Sequence, residues 1–149
     1  SLIATILEPE HFYVLAPELS YLEAILYMAE QLIQAGVLPA DFKEALLRRE
    51  EKSTMLFDKE IGFPHLQYKG EKIVLAVGVA ERTGPGVRFV LFLALPQDLE
   101  LNDRILIHIY NELLVISSEK ELLDDIAKLK SGNAFVLYMI KHNERFEDI

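Results

Sequence analysis

The sequence predicts an α/β layered domain with helices packed on both sides of a sheet. Three observations carry that reading. Two continuous apolar runs of strand length, residues 73–80 and 87–95, lie in the middle of the chain and suit strands covered on both faces. Apolar residues at helical spacing precede them, and a second helical stretch follows. Helices, then a few central strands, then helices again is the order of a layered α/β domain.

Taken in order, residues 10–15 hold a short β-favouring run, Phe12-Tyr13-Val14-Leu15, closed by Pro17. Tyr21, Leu22, Ile25, Leu26, Met28, Ala29, Leu32 and Ile33 then recur at helical spacing, and Ser20 with Glu23 fits a capping box. Gly36 ends that helix. Pro39-Ala40-Asp41 opens a second helix with Phe42, Ala45 and Leu46 along one side and Arg49 near its continuation, fraying near residues 51–53. Residues 57–63 read as short extended structure leading into His65.

The two apolar runs are joined by Glu81-Arg82-Thr83-Gly84-Pro85-Gly86, rich in turn formers and short enough for a hairpin. Pro96 ends the second run. From Asn102 the period is helical, with Ile105, Leu106, Ile109, Leu113 and Ile116 on one stripe. Ser118, with Glu121 three residues on, is read as the cap of a further helix carrying Leu122, Leu123, Ile126 and Leu129. Ser131-Gly132-Asn133 is expected to break it, residues 134–140 to form a last short helix, and the polar tail 141–149 to be loose. No repeat, low-complexity segment or internal boundary is visible, so residues 1–149 are read as one domain.

Composition narrows the function classes. A chain of 149 residues can bury one core, and 51% hydrophobic residues with a mean hydropathy of +0.18 argue against disorder. No apolar run approaches the ~20 residues that cross a bilayer, and no charged-then-apolar leader opens the chain, so a cytoplasmic location is expected. The absence of cysteine excludes disulfides and thiolate chemistry. A net charge of −9 and a pI near 4.9 oppose direct contact with nucleic acid, and suit either a basic protein partner or simple solubility. The chain opens on Ser1 rather than Met, which reads as a piece of something longer.

The residues with chemistry to offer centre on Ile61-Gly62-Phe63-Pro64-His65. Proline has a fixed φ and no amide hydrogen, and it pushes Phe63 towards extended geometry. Gly62 lets the backbone approach a neighbour closely. An imidazole mounted after such a pair loses little freedom on meeting a reactive group. With an ordinary pKa of about 6.5, it offers a free ring nitrogen at neutral pH. Upstream, Leu47-Arg48-Arg49-Glu50 supplies permanent cations able to hold an anion. One nucleophilic nitrogen and one anion clamp suffice to carry a phosphoryl group. The competing readings are a structural turn histidine, and an exposed Arg49–Glu50 ion pair worth only ~0–1 kcal/mol.

Other chemistries lack their residues. His11 and His142 have no partner pattern, and no His-Glu-x-x-His or cysteine ligand set is present, so no metal or cofactor is expected. Gly84-Pro85-Gly86 lacks the Gly-Lys-Ser/Thr of a phosphate-binding loop, and no Gly-x-Ser-x-Gly appears.

Phe42-x-x-Ala45-Leu46-Leu47-x-Arg49-Glu50, then Ser53-Thr54, then Ile61-Gly62-Phe63-Pro64-His65, resembles the enzyme IIA domain of the mannitol/fructose class in the bacterial sugar phosphotransferase system. The likeness runs over nearly the whole chain, and its most specific part is the interval from Arg49-Glu50 to Pro64-His65. It implies a three-layer sandwich, with a central mixed β-sheet flanked by helices. It also implies His65 as the phosphorylated residue, Arg49 as its clamp, phospho-HPr as donor and enzyme IIB as acceptor, with neither nucleic-acid contact nor membrane insertion by this domain. Pro64, Ser53 and Arg104 are the candidate phosphate- or partner-binding residues, although for Ser53 and Thr54 a capping or turn role competes.

The departures from the family pattern bear on use. Many transport members carry a second histidine, in an Asn-Asn-Glu-His context, where this chain has Leu101-Asn102-Asp103-Arg104. Arg104 can bind phosphate but cannot shuttle a proton; His108, one turn on, is read as a helix residue. Leu66 follows the histidine where a small residue is usual, and the link between the apolar strands is shorter. Two uses remain open, beside a degenerate domain that only docks partners. One is the regulatory domain of a sugar-operon transcriptional regulator, towards which residues 105–116, Arg104 and the missing initiator Met all lean. The other is a stand-alone or transporter-linked phosphocarrier passing the group to enzyme IIB.

Overall fold

Residues 1–147 are described by a computed structural model. Its centre is the hairpin expected from the two apolar runs. β4 (Val74–Val79) and β5 (Phe89–Pro96) pair antiparallel, from Val74 opposite Ala94 to Val79 opposite Phe89. Every residue of both strands is buried, which is why neither run alternates with polar residues. β1 (Phe12–Val14) lies parallel to β4 on one side. β2 (Ile61–Gly62) and β3 (His65–Tyr68) lie parallel to β5 on the other, so the sheet is mixed, as the family resemblance implies.

β2 and β3 are one edge strand with a break. The register is unchanged across it, Ile61 facing Phe89 and His65 facing Leu93. Between them Pro64 has no amide to give, and the Phe63 N–H turns away from β5 to the Met55 carbonyl at 3.0 Å. The ladder resumes when the Leu93 N–H donates to the Pro64 carbonyl at 2.9 Å. The missing Pro64 amide lies on the β5 side, as its carbonyl does, so the ladder lacks one hydrogen bond there and the strand divides into β2 and β3.

Side chains of the hairpin divide by alternation between two cores. Leu75, Val77, Val79, Phe89, Leu91, Leu93 and Leu95 pack with α1 (Leu2–Ile6), α4 (Asn102–Ser118), α5 (Lys120–Ala127) and α6 (Gly132–Lys141). Val74, Ala76, Val90, Phe92 and Ala94 pack with α2 (Tyr21–Gln34) and α3 (Phe42–Lys52). Fully burying a side chain such as Phe92 or Leu93 contributes roughly 1.5–3 kcal/mol, so both layers are needed to cover the sheet. On the edge strand Ile61 and Phe63 belong to the α4 side, Leu66 and Tyr68 to the α2–α3 side. His65 continues the first set.

The ends of the elements show where local signals decided and where they did not. Ser20 and Glu23 form the reciprocal capping box, and Gly36 at φ +74° turns the chain after α2. The Ser118–Glu121 cap does not form: α4 runs on through Ser118, whose hydroxyl donates back to the Val115 carbonyl, and Glu119 precedes α5. Ser131 does not only break a helix; its hydroxyl accepts from the Ala134 N–H and starts α6 two residues early. The extended stretch expected over 57–63 shrinks to β2, because Asp58 draws the N–H groups of Glu60 and Ile61 into a turn. The tail is not loose as far as Phe146, which is buried at the end of a 3-10 turn (Asn143–Phe146); Asp148 and Ile149 lie outside the described residues. α1 and β3 were not legible beforehand. α1 is held by Glu112, fully buried, which accepts from the Ser1 hydroxyl and the Leu2 N–H, each at 2.6 Å.

A Cβ built on Gly62 would stand 2.5 Å from Cε1 of Tyr21, so this close approach has no room for a methyl group. Gly62→Ala is expected to cost about 1–3 kcal/mol, read as a lowered urea midpoint at unchanged slope.

Candidate functional site

His65 opens β3 directly after the proline. Its Nδ1 lies 2.7 Å from the carbonyl oxygen of Phe63, an atom that can only accept, so Nδ1 carries the proton and Nε2 keeps its lone pair. The ring stacks on Phe63 (centroids 4.3 Å apart, 22° between planes) and meets the Tyr110 ring at 6.1 Å and 81°. One face and one nitrogen are thereby fixed. The residue is half-buried rather than packed away, and with Nδ1 engaged by Phe63 its Nε2 is the ring nitrogen left for a partner.

Burial, foremost, holds the His65 imidazole below the ordinary 6.5, and the positive charge of Arg49 pushes the same way. The hydrogen bond to Phe63 opposes both, because it favours the charged ring. The net direction leaves a neutral, nucleophilic imidazole at pH 7.

Arg49 sits on the last turn of α3, and its Nη1 donates to the Ser53 carbonyl at 2.7 Å, which closes the helix end. Its other N–H groups have no acceptor among the described residues, and it lines one cleft with His65, Thr54, Met55, Phe63 and Tyr110, of about 310 Å³. Of the two consecutive arginines only Arg49 does so; Arg48 points to Glu44 on the exposed face, 4.0 Å away. No ion pair between Arg49 and Glu50 is present among the described residues. The imidazole and the guanidinium singled out from the sequence are thus brought together.

Glu50 has a different task. Its carboxylate accepts from the Tyr21 hydroxyl at 2.9 Å, from the Met55 N–H at 3.1 Å to either oxygen, and from the Thr54 hydroxyl. Burial, then this contact with Glu50, raises the Tyr21 phenol far above its usual range. Thr54 also accepts from the Leu56 N–H at 3.3 Å. The loop after α3 is therefore pinned from within, and Met55 in turn supports the His65 backbone, its Sδ 3.4 Å from the His65 nitrogen.

The remaining candidates are placed as follows. Ser53 is exposed and contributes its backbone carbonyl to Arg49. Pro64 is buried in the strand break. Arg104 is exposed on the first turn of α4, and neither it, Ser53 nor Pro64 is among the residues lining the cleft. His108 faces Glu112, with Nε2 3.2 Å from the carboxylate. Tyr110 is the residue by which α4 reaches the cleft, and sequence reasoning missed it. Its signal was faint: an aromatic beside Ile109, at the margin of the apolar stripe. Glu8, Glu10 and His11 bring possible metal-ligand atoms within 4.8 Å of one another, but none of them lines this cleft. No described helix is long and apolar enough to cross a membrane.

The family profile described as "Phosphoenolpyruvate-dependent sugar phosphotransferase system, EIIA 2" matches residues 5–142. Among solved structures, the nitrogen regulatory protein IIA-Ntr from Neisseria meningitidis superposes with a TM-score of 0.73 at 20% identity, covering 93% of this chain and 99% of that one. A putative PTS IIA (PtxA) from Streptococcus mutans gives 0.68 at 13%, covering 93% of each chain. IIA mannitol from Escherichia coli gives 0.64 at 18%, covering 89% of this chain and 98% of that one. At these identities the likeness is one of fold. No curated protein matches the sequence.

In an NMR titration the His65 ring is expected to turn over below 6.5, and Arg49→Ala to move that midpoint upward without reaching 6.5, since burial persists. Folding is linked with the same sign. The unfolded chain takes up this proton near 6.5 and the folded chain only at lower pH, so stability falls as pH drops through that window and His65→Gln flattens the slope.

Proposed function

The chain belongs to the EIIA 2 family of the phosphoenolpyruvate-dependent sugar phosphotransferase system, and we propose that it carries a phosphoryl group on Nε2 of His65, taken from phospho-HPr. The observation that carries this reading is a neutral imidazole with a free Nε2 in the same cleft as the Arg49 guanidinium. In the transfer step the Nε2 lone pair forms a new N–P bond in line as the donor's N–P bond breaks, and that bond's electron pair returns to the donor nitrogen. Arg49 meets the charge on the transferring oxygens with planar N–H donors. The ring gains positive charge as the bond forms, and the Phe63 carbonyl, accepting from Nδ1, stabilises it. An N–P bond is labile, so the group can be handed on.

The use we favour is a regulatory one: a IIA-like domain of a sugar-operon transcriptional regulator, whose phosphorylation reports sugar flux. Support comes from the opening turn of α4, where Arg104 stands exposed and outside the cleft, and from His65 being the one imidazole lining it among the described residues. A single imidazole suits a reversible mark better than a fast relay with proton sharing. The second reading, delivery to an enzyme IIB partner for uptake, uses the same step. A long natural reading frame with DNA-binding and regulation domains upstream supports the first; a short complete frame supports the second.

Incubation with phosphoenolpyruvate, enzyme I and HPr is expected to place acid-labile phosphate on the parent and none on His65→Ala. Arg49→Ala should label about 10²- to 10³-fold more slowly, the usual cost of removing a donor to a developing anion. Equal labelling of His65→Ala and parent would refute the assignment.

A further inference from the structure

A transferring phosphoryl group spreads its charge over three oxygens, so one guanidinium does not exhaust the donors it needs. Four polar side chains line the cleft: Arg49, Thr54, His65 and Tyr110. The hydroxyl proton of Thr54 is committed to Glu50. Nδ1 of His65 is committed to Phe63, and Nη1 of Arg49 to Ser53. The hydroxyls of Tyr21, Tyr68 and Tyr138 donate to Glu50, the Lys72 carbonyl and Asp125; those of Tyr13, Tyr27 and Tyr110 have no acceptor among the described residues, and of these three Tyr110 is the one that lines the cleft. A free donor in the same cleft as a nucleophile and a cation is not a packing residue only.

The ring that bears this hydroxyl is held at the nucleophile. It meets Phe63 edge-on at 5.1 Å and 87°, and His65 at 6.1 Å and 81°, while Phe57 lies tilted against it at 6.0 Å. α4, which carries it, packs on one face of the sheet, and α3, which carries Arg49, on the other. At the sheet edge the two layers bring one charged and one uncharged donor residue to the cleft that His65 lines. The charged one attracts the anion; the uncharged one steadies an oxygen without binding the product so tightly that it cannot leave.

We propose that Tyr110 is a further catalytic residue, whose phenolic hydroxyl donates a hydrogen bond to a phosphoryl oxygen as the group moves on to and off Nε2 of His65. Tyr110 keeps its proton throughout, so the balance of bonds is that of the transfer step already given. The proposal rests on the phosphocarrier reading and adds a residue to it.

Tyr110→Phe removes the hydroxyl and keeps the ring contacts. Two donors separate chemistry from docking: phospho-HPr, and phosphoramidate, which needs no protein surface. Labelling of His65 is followed by ³¹P NMR. Tyr110→Phe is expected to label about 10- to 100-fold more slowly with both donors, the cost of a hydrogen bond to a charged group. The fall should lie in kcat, with the KM for phospho-HPr, the urea midpoint and the His65 titration unchanged. Labelling within twofold of the parent overturns the role of Tyr110, and so does a loss confined to phospho-HPr, which a docking contact would give. In both cases a labelled parent leaves the phosphocarrier reading standing. A parent that neither donor labels at His65 overturns that reading and this one together.

Discussion

The hydrogen bond between Nδ1 of His65 and the Phe63 carbonyl is the contact on which the proposed chemistry of this domain depends, and it exists because His65 lies on an edge strand whose odd-numbered residues turn their backbone groups away from β5. In a strand, the N–H and C=O of one residue point to the same side. The Phe63 N–H turns outward to Met55, so its carbonyl is free of β5 and faces the ring two residues on. Proline enforces the interruption by offering no amide, while the constant register on either side keeps the strand in place. The alternation of an edge strand thereby selects which imidazole nitrogen keeps its lone pair.

Around that bond the electrostatics are biased before any ligand arrives. A half-buried imidazole and a nearby guanidinium disfavour two positive charges, and the imidazole yields because arginine does not. The result is a single permanent cation beside a neutral nucleophile. Glu50 could have cancelled that cation, being its neighbour in sequence, but Tyr21, Thr54 and Met55 occupy it. One carboxylate therefore does two things: it pins the loop under the histidine, and it stays out of an ion pair that would have masked Arg49.

What could be read from the sequence follows from the range of the forces involved. The hairpin was legible because strands buried on both faces must be apolar throughout, and α2 because its cap and period lie within a few residues. Arg49 and His65 were legible because an arginine at a helix end and a histidine after proline each carry a local constraint. α1 was not: five residues make no stable helix alone, and the carboxylate that caps them comes from Glu112, more than a hundred residues away. β3 is likewise set by register against β5, and polar Gln67 gives no strand signal. Ser118 fitted a capping pattern, yet α4 continued through it because tertiary packing of Val115 and Ile116 outweighs a local cap. Tyr110 had only its position to mark it, since the phenol becomes meaningful when α4 is laid against Phe63 and His65.

The broken strand has one more effect, on how the molecule behaves in a crowd of its own copies. A sheet edge with unspent amides invites another chain to add a strand, the first step of many aggregates. Here Ile61 has given its amide to Asp58, Phe63 to the Met55 carbonyl and His65 to the Met55 sulfur, while Pro64 has none. Leu56, bridged to Gly62, covers the same stretch. The segment that seats the histidine is thus closed to self-association along its backbone, and a visitor to this edge finds only side chains to engage.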